Sequence, residues 1–234
     1  MAKLIEGEVA RHYAASILHL DDAIGRIVQA IEKTGKANNN LIIFTSDNGG
    51  STAENNDTKY PNVNDDCPSG TLPGSNLPLG EKKGNLYEGG TRVPTLVRWP
   101  GTIAARTTTE TSVHIVDWMP TFRALAGSKA NAAMLKWDKT NIWPVLSDTG
   151  SLPERSLYSA GTHFRSQALR DGDWKLIVHK SSEGKEIRTE LYNIEKDPNE
   201  EFNNAETRPD KLADLRAKLT VAATNYLDAV AIIE

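Results

Sequence analysis

The sequence predicts an α/β protein built in two parts. Residues 1–152 form a mixed, mostly parallel sheet with helices, and residues 153–234 form a small antiparallel sheet with one packed helix. Three observations carry this prediction. A long segment of helical periodicity leads directly into a short, continuously apolar run. Residues 93–99 look like a second buried strand. Asp171-Gly172-Asp173 then separates two strand-like segments, which is a hairpin signature.

The elements follow in order. Tyr13, Ile17, Leu20, Ile24, Ile27 and Ile31 step by fours and threes, which places them on one helical face within residues 13–33. Arg11, Asp22, Arg26 and Lys33 fall off that stripe, and Gly35 stands where a left-handed cap ends the helix. After a tight connection at Asn38-Asn39-Asn40, the run Leu41-Ile42-Ile43-Phe44-Thr45 reads as a strand covered on both faces. Residues 51–80 are poor in apolar side chains, and so long a loop in a compact domain is uncommon and usually functional.

Residues 93–99 form the second buried strand, closed by Pro100-Gly101. Asp117 is placed to cap a helix with Pro120 in its first turn and Gly127 at its end; Trp118, Phe122 and Leu125 give it an apolar side. Composition changes near residues 151–155. Beyond it, residues 167–170 and 174–179 make the hairpin, residues 190–194 add a strand, and Asp197-Pro198 makes a turn. A last helix starts near Pro209, with Leu212, Leu215, Leu219, Tyr226 and Val230 roughly on one side.

Composition excludes more than it identifies. Charged residues are 25% and apolar residues 38%, as in ordinary globular proteins. A net charge of −4 supplies no basic field for nucleic acid. No run approaches the roughly 18 apolar residues of a membrane span. The opening stretch, MAKLIEGEVARHY, has no apolar core of a secretion signal, so none is visible. Cys67, the single cysteine, excludes an intrachain disulfide and a zinc site built on several thiolates.

The informative feature is a set of motifs in fixed order. Ser46-Asp47-Asn48-Gly49-Gly50 leaves the end of the first strand, where open α/β sheets place their ligands; the same residues are also ordinary turn formers. Pro78-Leu79-Gly80-Glu81-Lys82-Lys83-Gly84 runs into Tyr87-Glu88-Gly89-Gly90-Thr91-Arg92-Val93-Pro94 and Trp99-Pro100-Gly101. Asp117-Trp118-Met119-Pro120-Thr121 and Leu125-Ala126-Gly127 follow. Arg170-Asp171-Gly172-Asp173-Trp174-Lys175-Leu176-Ile177, Leu191-Tyr192-Asn193 and Asp197-Pro198-Asn199-Glu200 complete the series.

Together these resemble the sulfatase family, within the alkaline-phosphatase-like superfamily, from about Tyr13 to the final helix. The resemblance implies the C-terminal portion of that fold. It further implies that Asp47 and Asn48 ligate a divalent metal, calcium by family type, and that Lys83 meets a sulfate oxygen. Carboxylate and carboxamide oxygens suit a hard cation, and an ammonium suits the charge that develops as an ester oxygen departs. Lys82 competes by adjacency; the family's lysine directly before glycine favours Lys83. Glu88 and Arg92 read as an internal ion pair of architectural role. His12, His19, His114 and His179 read as structural or exposed, whereas His163 is a candidate substrate-binding residue.

The resemblance also implies a formylglycine nucleophile, made from the first residue of a C/S-x-P-x-R motif far upstream of the Asp-Asn strand. An Asp-Asp pair near the N-terminus would complete the metal site. The sequence is read as holding neither that motif nor the Asp-Asp pair. Cys67-Pro68-Ser69-Gly70 does not replace the motif, because it lacks the residue between Cys and Pro and has no Arg in place. Asp138-Lys139, where the family commonly has Asp-Gly, affects only a local turn.

The expectation is therefore a sulfuric ester hydrolase that is inactive alone. Completed by an N-terminal half, it would act on a sulfate-ester small molecule or sulfated glycan, and an exposed sheet edge offers a surface for association. A phosphodiesterase or phosphonate monoester hydrolase of the same superfamily, and a non-catalytic remnant or binding module, are the alternatives. Family members are commonly periplasmic, secreted or lysosomal, and this sequence does not choose among those compartments.

Overall fold

The computed structural model describes residues 5–52, 54–55, 70–128 and 140–230. Cys67, Asp138 and Lys139 lie outside the described residues. The chain divides into two compact units. The first comprises Met1–Leu96 with Pro198–Glu200, and the second Val97–Asp197 with Glu201–Glu234.

The first unit opens with helix α1, Glu8–Lys33. It ends as the cap signal predicts: Gly35 takes φ 70° and its amide donates to the Glu32 carbonyl at 3.0 Å. A single 3₁₀ turn, Ala37–Asn39, leads into strand β1, Ile42–Thr45. Two short strands, β2 (Glu54–Asn55) and β3 (Gly70–Thr71), pair antiparallel. Helix α2 is one turn, Glu88–Thr91, with Glu88, Gly89 and Gly90 buried.

Strand β4, Thr95–Arg98, pairs with β1 in a two-stranded sheet. The expectation of strands covered on both faces is not met. Phe44 is 39% and Leu96 66% exposed, because no layer among the described residues lies over them. Continuous apolar runs encode a need for cover and do not supply it.

In the second unit, a 3₁₀ turn at Ile115–Asp117 leads into helix α3, Trp118–Leu125, which ends at Gly127 with φ 63°. Asp117 stands at the predicted N-cap position, but its carboxylate makes no cap to α3. It is fully buried and accepts from the His114 amide at 2.7 Å and from both terminal nitrogens of Arg155 at 2.5 and 2.7 Å. Burial alone would raise its pKa. The Arg155 guanidinium and the His114 amide outweigh that and hold it below the usual carboxylate range. Helix α4, Trp143–Leu146, is anchored where the buried Thr121 hydroxyl accepts the Ile142 amide at 2.9 Å.

The C-terminal sheet has four antiparallel strands in sequence order: β5 (Ser156–Ala160), β6 (Ser166–Asp171), β7 (Trp174–Lys180) and β8 (Glu186–Asn193). The β6–β7 turn is the predicted hairpin, with Asp171 opposite Trp174 and Gly172 at φ 58°. Helix α5, Pro209–Val230, packs on one face, and Leu169, Leu176, Val178, Leu191, Leu215 and Leu219 form the core between them. On the other face of β7–β8, His179 bonds the Glu190 carboxylate at 2.9 Å, and the Tyr192 hydroxyl donates to the same group at 3.0 Å. Strand β5 has no counterpart in the sequence reading, and β8 starts before the predicted residue 190.

Candidate functional site

The turn after β1 carries Asp47 and Asn48. The Ser46 hydroxyl donates to the Asn48 carbonyl at 2.5 Å and closes the turn. Two glycines then bring the backbone against neighbouring main chain. The Gly49 amide donates to the Gly90 carbonyl at 3.1 Å, and a Cβ at Gly49 would fall 1.7 Å from the Gly89 carbonyl oxygen. Only glycine permits that approach. Gly50 is clamped by Asn76, whose side-chain oxygen accepts its amide at 2.6 Å and whose nitrogen donates to its carbonyl at 3.0 Å.

The segment bearing Lys83 is tied to the same turn. The Lys83 amide donates to the Gly50 carbonyl at 3.1 Å, and the Asn76 nitrogen also reaches the Glu81 carbonyl at 3.1 Å. This brings the Lys83 ammonium to 3.6 Å from Asp47 Oδ1. The neighbouring Lys82 instead donates to the Thr52 hydroxyl at 2.9 Å. Adjacent lysines that the sequence leaves in competition thus take different partners.

Asp47, Asn48 and Lys83 meet at an open surface, with the Asp47 side chain 80% exposed. The Asn48 amide nitrogen donates to Asp47 Oδ1 at 3.2 Å. That bond, and then the charge of Lys83, hold the Asp47 carboxyl below its ordinary value. The site is ionised and has carboxylate and carboxamide oxygens at its rim, the donors a hard divalent cation takes. Two such residues fit the ion in kind but supply only part of the about six to eight oxygens it wants. Among the described residues no group of three or more His, Cys, Asp or Glu gathers to hold a metal.

Glu88 and Arg92 approach at 3.9 Å, as expected of an internal pair, and Glu88 is buried. The sequence reading missed the partner of this segment. Glu200, quoted only as part of a motif, is buried, and its carboxylate accepts the Glu88 amide at 2.6 Å. The same return segment crosses Gly80, where a Cβ would fall 2.7 Å from the Asn199 carbonyl oxygen. Asn76 was missed as well, since an Asn in a polar loop carries no signal of its own.

The histidines of α1, His12 and His19, are exposed, and His114 accepts the Val116 amide at 3.5 Å. His163 lies in the second unit, in a turn beside the β6–β7 sheet, and lines a cavity there.

One sequence expectation needs correction. The letters of the formylglycine motif do occur downstream, as Ser151-Leu152-Pro153-Glu154-Arg155. The structure assigns that string another job: its arginine is the one that pairs with the buried Asp117, with a further bond from Arg155 to the Ser112 carbonyl at 2.9 Å.

Comparison with known proteins gives a consistent result. The family profile described as Sulfatase matches residues 3–128. That described as N-sulphoglucosamine sulphohydrolase, C-terminal, matches residues 81–225. A protein named Sulfatase from Formosa agariphila is 29% identical over 233 residues, covering 88% of this chain and 38% of that protein. Human (Homo sapiens) Arylsulfatase A is 31% identical over 212 residues, covering 82% of this chain and 38% of its own length. Among solved structures, Ps i-CgsB in complex with k-i-k-neocarrahexaose superposes with TM-score 0.76 at 28% identity, over 94% of this chain and 44% of that one. BT4656 in complex with its substrate D-glucosamine-2-N,6-O-disulfate gives 0.68 at 25% identity, over 94% and 41%. The chain spans about two fifths of the length of these relatives.

Proposed function

Because the chain belongs to the sulfatase family and carries the C-terminal portion of its α/β fold, we propose that it supplies part of the active site of a sulfuric ester hydrolase. The observation that carries this reading is the convergence of Asp47, Asn48 and Lys83 on one loop system, fastened by Gly49, Gly50 and Asn76. Sulfated saccharides are the substrate class; two similar proteins were solved with k-i-k-neocarrahexaose and with D-glucosamine-2-N,6-O-disulfate.

In this proposal Asp47 and Asn48 would hold a divalent cation, calcium by its preference for oxygen, with further ligands from polypeptide outside these residues. Such an ion offsets negative charge on the bound sulfate group. Lys83 keeps its proton at Nζ, close to the Asp47 carboxylate, and directs it to the ester oxygen as that oxygen leaves. Asp47 remains ionised in the process, its proton affinity lowered by the Asn48 amide and Lys83. The nucleophile also comes from outside this sequence.

The apolar stripe of α1 supports completion by a further piece of polypeptide. Tyr13, Ile17, Leu20 and Ile27 are all exposed.

The test is to join this chain to the N-terminal portion of the Formosa agariphila relative and follow hydrolysis of an aryl sulfate. Lys83→Ala is expected to lower kcat by about 10²–10³-fold, the usual cost of removing one group that stabilises developing charge. Unchanged kcat in that variant would overturn the assigned role. Faster turnover of an aryl phosphodiester or an aryl phosphonate monoester than of the sulfate would replace the substrate class with the phosphodiesterase or phosphonate monoester hydrolase alternative.

A further inference from the structure

The second unit holds an open cavity of about 310 Å³. His163, Phe164 and Arg165 line it from the turn before β6, and Lys180 from the end of β7 with Ser181 and Ser182 from the turn that follows. The sheet sets the two turns side by side: Ser166 pairs with His179, and the Lys180 amide donates to the Arg165 carbonyl at 2.6 Å.

Both turns are tightly made. In the first, the Gly161 amide donates to the Ser166 carbonyl at 2.8 Å, and His163 and Phe164 both take left-handed backbone, φ 54° and 55°. Two consecutive residues of that kind are uncommon, above all with a bulky Phe, and such strain concentrates at ligand sites. In the second, Ser181 accepts the Glu183 and Lys185 amides through its hydroxyl at 3.2 and 3.3 Å, while Gly184 lies at φ 79°.

The lining has one sign of charge. No carboxylate belongs to it. Among the described residues no acid pairs with the Arg165 guanidinium. Lys180 donates to a neutral partner, the Gln167 side-chain oxygen, at 2.9 Å. Glu186, the first acid of β8, is held by Arg216, with a bond of 2.8 Å and a second, shorter one. Glu186 stands opposite Lys180 across β7–β8 and attracts it, but it is bonded to Arg216 and lies outside the lining. Two cations, an imidazole and serine hydroxyls, with no carboxylate among them, make the lining a receptor for an oxyanion. Phe164, 39% exposed at the same place, presents an apolar surface of the kind that packs on a sugar ring.

We propose that this cavity binds the sulfate group of a saccharide, with Arg165 and Lys180 as its charged contacts, His163 and Ser182 as further donors, and Phe164 against the sugar. The choice of a sulfated sugar over another oxyanion rests on the functional reading above; the cationic character of the cavity does not.

The experiment is an amide chemical-shift titration of the full chain with glucose 6-sulfate, with glucuronate and glucose as the other arms. Glucose 6-sulfate is expected to move the amides of residues 162–165 and 180–184 saturably, and glucose is expected to leave them unmoved. Arg165→Met and Lys180→Met should each raise Kd by about tenfold or more, the range for a hydrogen bond to a charged group. Arg165 is exposed, so unchanged β6–β8 amide shifts in its variant will show that the sheet is intact. Absence of saturable shifts at those residues, or undiminished binding in the double variant, would overturn the site. Equal affinity for glucuronate would overturn its assignment to sulfate. The readout is binding in the second unit, so it stands or falls separately from ester hydrolysis by the Asp47 site.

Discussion

Helix α5 buries Leu215 fully and Leu219 nearly so against β6–β8, whereas α1, with 26 residues to its 22, buries no side chain. Yet α1 has the more regular apolar stripe. Ile17 and Leu20 are each 50% exposed and Ile27 60%. Periodicity fixes which face of a helix seeks cover, and the sheet beneath α5 is what turns that tendency into a core. The second unit therefore covers its own stripe, while among the described residues the stripe of the first unit has no such cover.

The comparison is sharpened most by cavity mutations. Leu176→Ala, at the centre of the β-sheet core, should cost about 2–5 kcal/mol, and Ile17→Ala on α1 within about 0.5 kcal/mol. Denaturant unfolding followed by hydrogen exchange at β6–β8 and α1 amides measures both. A comparable loss in the two variants would mean that α1 has a buried partner in solution.

A second break concerns the ion pair of Asp117 and Arg155, the latter's side chain 14% exposed. Arg155→Met leaves a buried carboxylate without its main partner, and should cost about 3–5 kcal/mol at neutral pH. The sign of the pH dependence follows from the lowered folded pKa of Asp117. Its contribution is fully present above the unfolded carboxylate value of about 3.9 and is lost as pH falls through the lower folded value. Acid unfolding of wild type should therefore converge with that of Arg155→Met at low pH.

The smallest effect belongs to the open site. Lys83→Met should raise the Asp47 pKa toward its ordinary value without changing the unfolding midpoint, while Lys82→Met should leave Asp47 where it is. Carboxyl NMR titration distinguishes the two.

Much of this fold is legible in the residues. The Gly35 cap, the Asp171-Gly172-Asp173 hairpin and the two long helices rest on local signals, and local signals survive in any context. Strand β5 escaped because Ser156-Leu157-Tyr158-Ser159-Ala160 has no run of strand formers; it is a strand through its pairing with β6. The front of β8 escaped because its charged residues, Glu186 and Arg188, serve ion pairs rather than the core. At the candidate site, Asp47, Asn48 and Lys83 were legible through motif order. The support given by Asn76 and Glu200 was not, because it depends on contacts across 26 and 112 residues of chain.

The span between Glu88 and Glu200 has a consequence for how the molecule is made. A ribosome presents the Lys83 segment first, then β4 through β8, and only afterwards Asn199 and Glu200, which complete the bonding of the one-turn helix beside that segment. Chains usually organise from the N-terminal end as they emerge. Here the candidate loop reaches its final hydrogen bonding only after the C-terminal sheet has left the exit tunnel, so nascent chains stopped before residue 200 hold Asp47, Asn48 and Lys83 without the finished scaffold around them.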